Sequence, residues 1–374
     1  MTDEPLPEPL PPPTESAFQF HGNWREFAPI AFTNLLLTIV TLGIYAFWAR
    51  ARERRYLWSR THFIDDRLEW TGTGLELFVG YLMALVFFLL PLAGLQFLMQ
   101  ALILRGHPGQ AILLMILLYV LLLYLIGVAV FRALRYRLSR TFWHGIRGGS
   151  DIQGLRYGVE HLWRTLLGGL ALGLMVPWSM TSLWNRRWRE MSFGPLRFES
   201  DADWNRIIGR YLIFYLSPIA LLVVLGILMA TGALAVGSIA GVDGEGASRE
   251  SVMAGLVIVL GAFYILFFVV LGLVALFFYS AYYREAVGKL TLGSLSFAFT
   301  ARTRDWMKLV LGNIGLVIVT LGIGFLFVPY RNWKFFVTHI EAYGELRLDE
   351  LTQSTTRAPP QGEGLLDAFD VGAF

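Results

Sequence analysis

The chain contains no cysteine, which excludes disulfides, thiolate metal sites and cysteine nucleophiles. Lysine is almost missing: Lys289, Lys308 and Lys334 stand against 28 arginines in 374 residues. Charge of either sign is sparse, at 16% of residues, where an ordinary soluble domain carries roughly 25%. None of the six histidines has metal-ligand spacing. Gly288-Lys289 lacks the upstream glycine and the following hydroxyl of a phosphate loop, and no nucleophile–base–acid set can be assembled. No enzyme activity, metal or cofactor is therefore expected. The N-terminus lacks a basic stretch before an apolar core, so residues 1–17 (proline-rich and acidic) read as a disordered arm rather than a signal peptide.

What the chain has in quantity is apolar sequence. Hydrophobic residues make up 55% and the mean hydropathy is +0.54. Several runs exceed the roughly 20 residues that cross a bilayer, which defines an integral membrane protein. Seven apolar segments are visible, near 27–48, 75–104, 111–131, 160–178, 207–240, 252–283 and 306–330. Segments two, three, five and six contain essentially no ionisable residue, which argues against a proton- or ion-coupled pump.

Segments one, four and seven share an order: strand, tryptophan, apolar run with a glycine break, aromatic exit, basic run, strand. The tryptophans are Trp24, Trp163 and Trp306. Thr41-Leu42-Gly43-Ile44 recurs as Thr320-Leu321-Gly322-Ile323, and the exits are Phe47-Trp48, Pro177-Trp178 and Pro329-Tyr330. The middle copy lacks the Thr-Leu-Gly block. Short strands are expected at Ala17–Phe20, within Asp65–Gly74, at Pro195–Phe198, at Leu295–Phe299 and at Leu346–Leu348.

Positive charge near segment ends marks the cytoplasmic side. The links after segments one, three, four and six carry six, six, five and four basic residues, while the two short hairpin links carry only Arg105 and Arg249. Seven full spans would put positive links on both sides. The conflict vanishes if segments one, four and seven enter from the cytoplasm, bend at Gly43, at Pro177 or at Gly322, and leave on the same side. The predicted fold is therefore a mainly α-helical polytopic membrane protein. Three repeated, broken or re-entrant units (18–74, 132–206, 284–350) carry short cytoplasmic β strands. Two transmembrane hairpins (75–131 and 207–283) join them, both termini are cytoplasmic, and the tail 351–374 is disordered.

The pattern NLLLT-x-x-TLGIY-x-x-WARAR-x-RRY with DDRLEWTGTG and ELF-x-GYL resembles the YjgN-like inner-membrane family of bacteria, a domain of unknown function. The match is densest over Phe18–Tyr81, and Phe47 stands where the family tends to have proline. The resemblance implies a bacterial inner-membrane location and carries no activity. From the residues themselves, Arg50, Arg52, Arg54, Arg55, Arg186, Arg187 and Arg331 are candidates for a basic belt at lipid-headgroup depth, set against plain topology anchors. Partners expected are membrane lipids, anionic phospholipids first. Nucleic acid is not expected, and the last ten residues are a candidate docking motif for a protein. The functions in view are a transporter- or channel-like handler of small solutes or lipids, and a non-catalytic lipid-binding or scaffold protein.

Overall fold

The computed structural model describes residues 16–242, 249–345 and 352–356. The chain begins with β1 (Phe18–Phe20), α1 (Trp24–Val40) and α2 (Ala46–Ser59), followed by the short strands β2 (Thr61–Phe63), β3 (Asp66–Arg67) and β4 (Glu69–Trp70). An apolar hairpin follows: α3 (Gly74–Ala84), α4 (Leu90–Leu104) and α5 (Pro108–Arg140). Next come β5 (Thr141–Trp143), β6 (Ile146–Gly149), α6 (Leu155–Leu170), α7 (Val176–Arg189), β7 (Ser192–Phe193) and β8 (Leu196–Ser200). The second apolar pair is α8 (Ile208–Val242) and α9 (Arg249–Gly288). The chain then forms β9 (Leu290–Leu292), β10 (Leu295–Phe299), α10 (Thr303–Val319), α11 (Val328–His339) and β11 (Ile340–Tyr343).

Among the described residues, three helices are long and apolar enough to cross a membrane: Pro108–Arg140, Ile208–Thr231 and Val257–Gly288. The shorter α3 and α4 join through a π-helical turn at Leu85–Leu89. Pro91 explains that turn. It has no N–H to return to the carbonyl four residues back, and the helix widens, so that Leu90 N–H reaches Leu85 O. Pro218, by contrast, sits within an unbroken α8.

Segments one, four and seven are helix–turn–helix hairpins, and their turns are alike. Leu42, Leu172 and Leu321 all adopt left-handed backbone (φ 51, 53 and 51°), each followed by a glycine at positive φ, namely Gly43, Gly173 and Gly322. In the first and third turns the glycine N–H closes on a carbonyl five residues back, Thr38 and Val317, both at 2.8 Å. Thr41 and Thr320 brace these turns by donating to Leu37 O and Leu316 O and accepting from the amides of Tyr45 and Gly324. The middle copy has Ala171 at that place. Its turn is held from outside instead, by Tyr211 and Tyr215 of α8, whose hydroxyls donate to Gly173 O and Leu172 O at 2.7 and 2.6 Å.

This register corrects the tryptophan alignment. Counted back from the turn glycines, Phe27, Tyr157 and Trp306 occupy the same step, whereas Trp163 lies one to two turns further along α6. Trp24 and Trp306 open their helices, but α6 begins at Leu155 and reaches Trp163 mid-length, where it packs on Trp178 at 5.7 Å.

The strands lie far apart in sequence yet form two antiparallel sheets, each in chain order. β2 pairs with β1 on one side and β3 on the other, and β4 to β11 form an eight-stranded sheet. Residues 66–71 pass from one to the other: Arg67 pairs with His62 of β2, and Trp70 pairs with Thr141 of β5. Trp143-His144-Gly145-Ile146 is a two-residue hairpin with both central residues at positive φ, the turn that matches strand twist. Alternate side chains point inward. Phe63, Trp143 and Leu295 are buried together with Phe18, Leu68 and Phe193 against them, and Phe18 meets both Phe63 (4.4 Å) and Phe297 of β10 (6.5 Å), which draws the two sheets together. Every arginine-rich link therefore supplies strands to one β layer, in which the two sheets share the core around Phe63, Trp143 and Leu295. Strands β2, β5, β6, β7 and β9 have no clear signal in the sequence. The strand expected at Leu346–Leu348, the arm before residue 16, the link 243–248 and the tail after 356 lie outside the described residues. Residues 352–356 run along β6, where Arg147 donates to Thr356 O.

Candidate functional site

The first and last hairpins pack against each other. Phe27 meets Phe327 and Tyr330 at 6.3 and 5.4 Å, and Tyr330 Oη donates to Gly22 O at 2.8 Å. Trp58 stacks on Trp333 at 3.9 Å, and the two indoles donate to Thr141 and Thr61 of the strand layer, each at 2.9 Å. These contacts leave a cleft of about 380 Å³ between α2 and α11. Its polar lining is Arg50, Glu53 and Arg54 of α2, Arg137 of α5 and Asn332 of α11. Its apolar wall is Leu57, Trp58, Phe325, Val328, Pro329, Trp333 and Phe336. Three guanidiniums against one carboxylate make it cationic, and the aromatic wall makes it amphipathic.

Two asparagines brace the cleft from behind. Asn34, 3% exposed, donates to Ala49 O at 3.2 Å and to Glu53 at 3.4 Å. Asn313 stands at the same step before its own turn. It donates to Asn332 at 2.9 Å and accepts from Arg331 Nε at 2.6 Å. Gly312 lets the Arg331 guanidinium lie against α10, since a Cβ there would fall 2.5 Å from it.

The arginines expected in a single belt are divided by helical geometry. Arg50 and Arg54, one turn apart, share the face that lines the cleft, and Arg54 is buried (5% exposed) with its guanidinium over Trp70 at 5.1 Å. Arg52 and Arg55 are exposed on another face, toward α3. Arg187 is also inside (6% exposed), over Trp184 at 5.4 Å. Arg186 is paired with Glu160 at 3.0 Å and Glu190 at 2.8 Å. The motif residues serve packing. Pro177 and Pro329 occupy the first turns of α7 and α11, and Trp48 borders the start of α3. Trp24 and Trp163 are largely exposed, while Trp306 packs on Tyr283 and Phe335.

His62 lies close to Asp65 and Asp66 in the sequence, but in the fold those carboxylates meet His144 instead, at 2.9 and 3.7 Å. Sequence reasoning missed Arg137 and Asn332 as cleft residues. The matching positions of Asn34 and Asn313, each nine residues before its turn glycine, are a signal that could have led there. Among the described residues no three His, Asp or Glu side chains gather to hold a metal ion.

The family described as "Bacterial protein of unknown function (DUF898)" matches residues 15–368, which takes in all three hairpins, both apolar pairs and the cleft. The chain belongs to that family. DUF898 membership agrees with the family resemblance carried by the Leu-Gly turn and the arginine run. Relatives named inner membrane protein YjgN include those of Salmonella typhimurium (strain LT2), 28% identical over 130 residues, and Escherichia coli (strain K12), 30% identical over 131 residues. Each match covers 35% of this chain and 30% of the relative. No solved structure matches the chain. The kinship and the apolar helices together support an inner-membrane location.

Proposed function

We propose that this DUF898 protein is a non-enzymatic lipid-handling protein of the inner membrane, which holds an anionic phospholipid with its phosphate among Arg50, Arg54 and Arg137 and its acyl chains along the Phe325–Phe336 wall. The observation that carries this reading is the cleft's division into a cationic end and an aromatic, aliphatic wall. Guanidinium matches phosphate oxygens in bidentate fashion, and headgroup depth is where such a pair is stable.

The membrane placement behind it follows from the three hairpin tips. Leu42 and Leu321 are each 94% exposed and Leu172 is 78% exposed, in a left-handed conformation that costs an L-residue about 1 kcal/mol. A bulky apolar side chain at that position is favoured if the tip lies in hydrocarbon. The depth is limited, because Gly43 to Arg50 rises only about 10 Å and Gly322 to Arg331 about 13 Å, against a hydrocarbon core of roughly 30 Å. The tips thus enter one leaflet and return. On this reading the three hairpins are copies of one re-entrant element, α3–α4, α5, α8 and α9 are the four spans, and the β layer with both chain ends faces the cytoplasm. The shared left-handed Leu-Gly turn and the collection of every basic link in one strand layer support it.

The test is lipid analysis of the purified protein. Anionic phospholipid should be enriched over bulk membrane composition, and Arg50→Gln/Arg137→Gln should reduce the enrichment while the protein still folds. Co-purified lipid that mirrors the bulk in both proteins sinks the proposal. Flux of an entrapped small solute through reconstituted vesicles would favour a channel instead.

A further inference from the structure

We infer that the crevice between α2 and α3 is a second site, separate from the cleft, for a phosphate-bearing anion. Arg52 and Arg55 project into a cavity of about 310 Å³ whose lining contains no carboxylate. Neither arginine has a hydrogen-bond or ion-pair partner among the described residues, whereas the neighbouring Arg50 and Arg54 are engaged in contacts of their own. The far wall is the first turn of α3. There Thr73 Oγ1 accepts from Glu76 N–H at 3.3 Å, which leaves the amides of Gly74 and Leu75 without an acceptor among the described residues. Gly74 allows this wall to stand so close, since a Cβ there would lie 2.6 Å from Trp48 Cα.

Glu76 is the one acid in that first turn, and its carboxylate is already engaged. It takes Arg140 at 2.8 Å and the Tyr136 hydroxyl at 2.9 Å, and closes a capping box by accepting from Thr73 N–H at 3.5 Å. The crevice therefore combines two guanidiniums, two backbone donors and the positive end of a helix, with Tyr45 and Trp48 at the rim. That set matches the oxygens of a phosphate, carried either by a lipid headgroup or by a free anion. The site does not rest on the cleft proposal, because its arginines lie on a different face of α2.

The test uses delipidated full-length protein in uncharged detergent, titrated with short-chain phosphatidylglycerol and, separately, with inorganic phosphate, with bound species counted by native mass spectrometry. Arg52→Gln/Arg55→Gln should weaken one phosphatidylglycerol site at least fivefold and leave the other intact, while Arg50→Gln/Arg137→Gln should do the reverse. Arg52→Lys/Arg55→Lys should fall between, because it keeps charge but loses the bidentate fork. Leu75→Glu, an exposed position that puts a carboxylate at the mouth, should mimic the double Gln variant and guards against a folding artefact. Competition by millimolar phosphate identifies a free anion as the ligand, and its failure to compete identifies the lipid. Unchanged binding of both probes in the double Gln and Leu75→Glu proteins overturns the inference.

Discussion

Trp58 and Trp333 stack at 3.9 Å with their planes 24° apart, which joins the first helical hairpin of the chain to the last. Each indole N–H is anchored on a threonine of the strand layer, so the pair acts as a clasp between the two hairpins and the β layer. Trp333→Ala should cost about 3 kcal/mol, by comparison with other large-to-small aromatic truncations, and should lower the apparent melting temperature in detergent. Trp333→Phe keeps the stack but loses the bond to Thr61, and should fall between. Trp24→Ala removes a largely exposed ring and should change the melting curve little. A Trp333→Ala protein that melts like wild type refutes the clasp.

The hairpin reading makes a topological prediction. Alkaline phosphatase fused after residue 107 should be active, because that link lies at the far end of α4 and α5 from the strand layer. Fusions after 150, 192 and 295 should be inactive. Activity at 192 would require α6 or α7 to cross the membrane, which is incompatible with β6, β7 and β8 pairing in one sheet.

Two glycines should respond differently to alanine. Gly74→Ala forces a Cβ to within 2.6 Å of the Trp48 backbone, and must push α3 away from α2. Loss of several kcal/mol and poor expression are expected. Gly43→Ala meets nothing within 4 Å, and suffers only from its φ of +93°, a cost of about 1 kcal/mol. Equal effects on melting temperature would show that the α2–α3 contact is looser than described.

His161 gives the fold a pH dependence. Burial holds its imidazole below the usual 6.5, and the nearby Arg187 pushes the same way, while the bond to Leu123 O partly offsets them. The folded state thus prefers the neutral ring. Stability from this group is fully present above about pH 6.5 and is lost as pH falls through the folded value, at no more than about 1.4 kcal/mol per pH unit for one proton. His161→Gln should flatten denaturant midpoints measured between pH 5 and 7.5. A slope that persists in the variant assigns the titration to another group.

Legibility in the sequence followed the range of the interactions involved. The apolar runs, the Leu-Gly turns at 42–43 and 321–322 and the strands at 18–20 and 295–299 rest on local composition, and could be read directly. The middle turn was harder, because Ala171-Leu172-Gly173 lacks the threonine that marks the others and its bracing comes from tyrosines on α8. The strands β5, β7 and β9 are two or three residues long, too short for any alternation to register, and exist because neighbours in the sheet supply their hydrogen bonds. The arginine run 50–55 is plain in the sequence, but the direction of each guanidinium depends on which face of α2 meets α11 and which meets α3.

The sequence by itself determined that this is a membrane protein, that its basic links call for one common side, and that the first and last apolar segments break at a glycine. Hydropathy, charge placement and the backbone freedom of Gly43 and Gly322 are properties of short stretches and survive without a partner. Only the tertiary structure decided that the first and third hairpins meet, that Arg50, Arg54 and Arg137 come to line one cleft, and that Arg52 and Arg55 face another. Those groupings join residues separated by tens to hundreds of positions, and they follow from packing and from the closing of the strand layer, which no local pattern encodes.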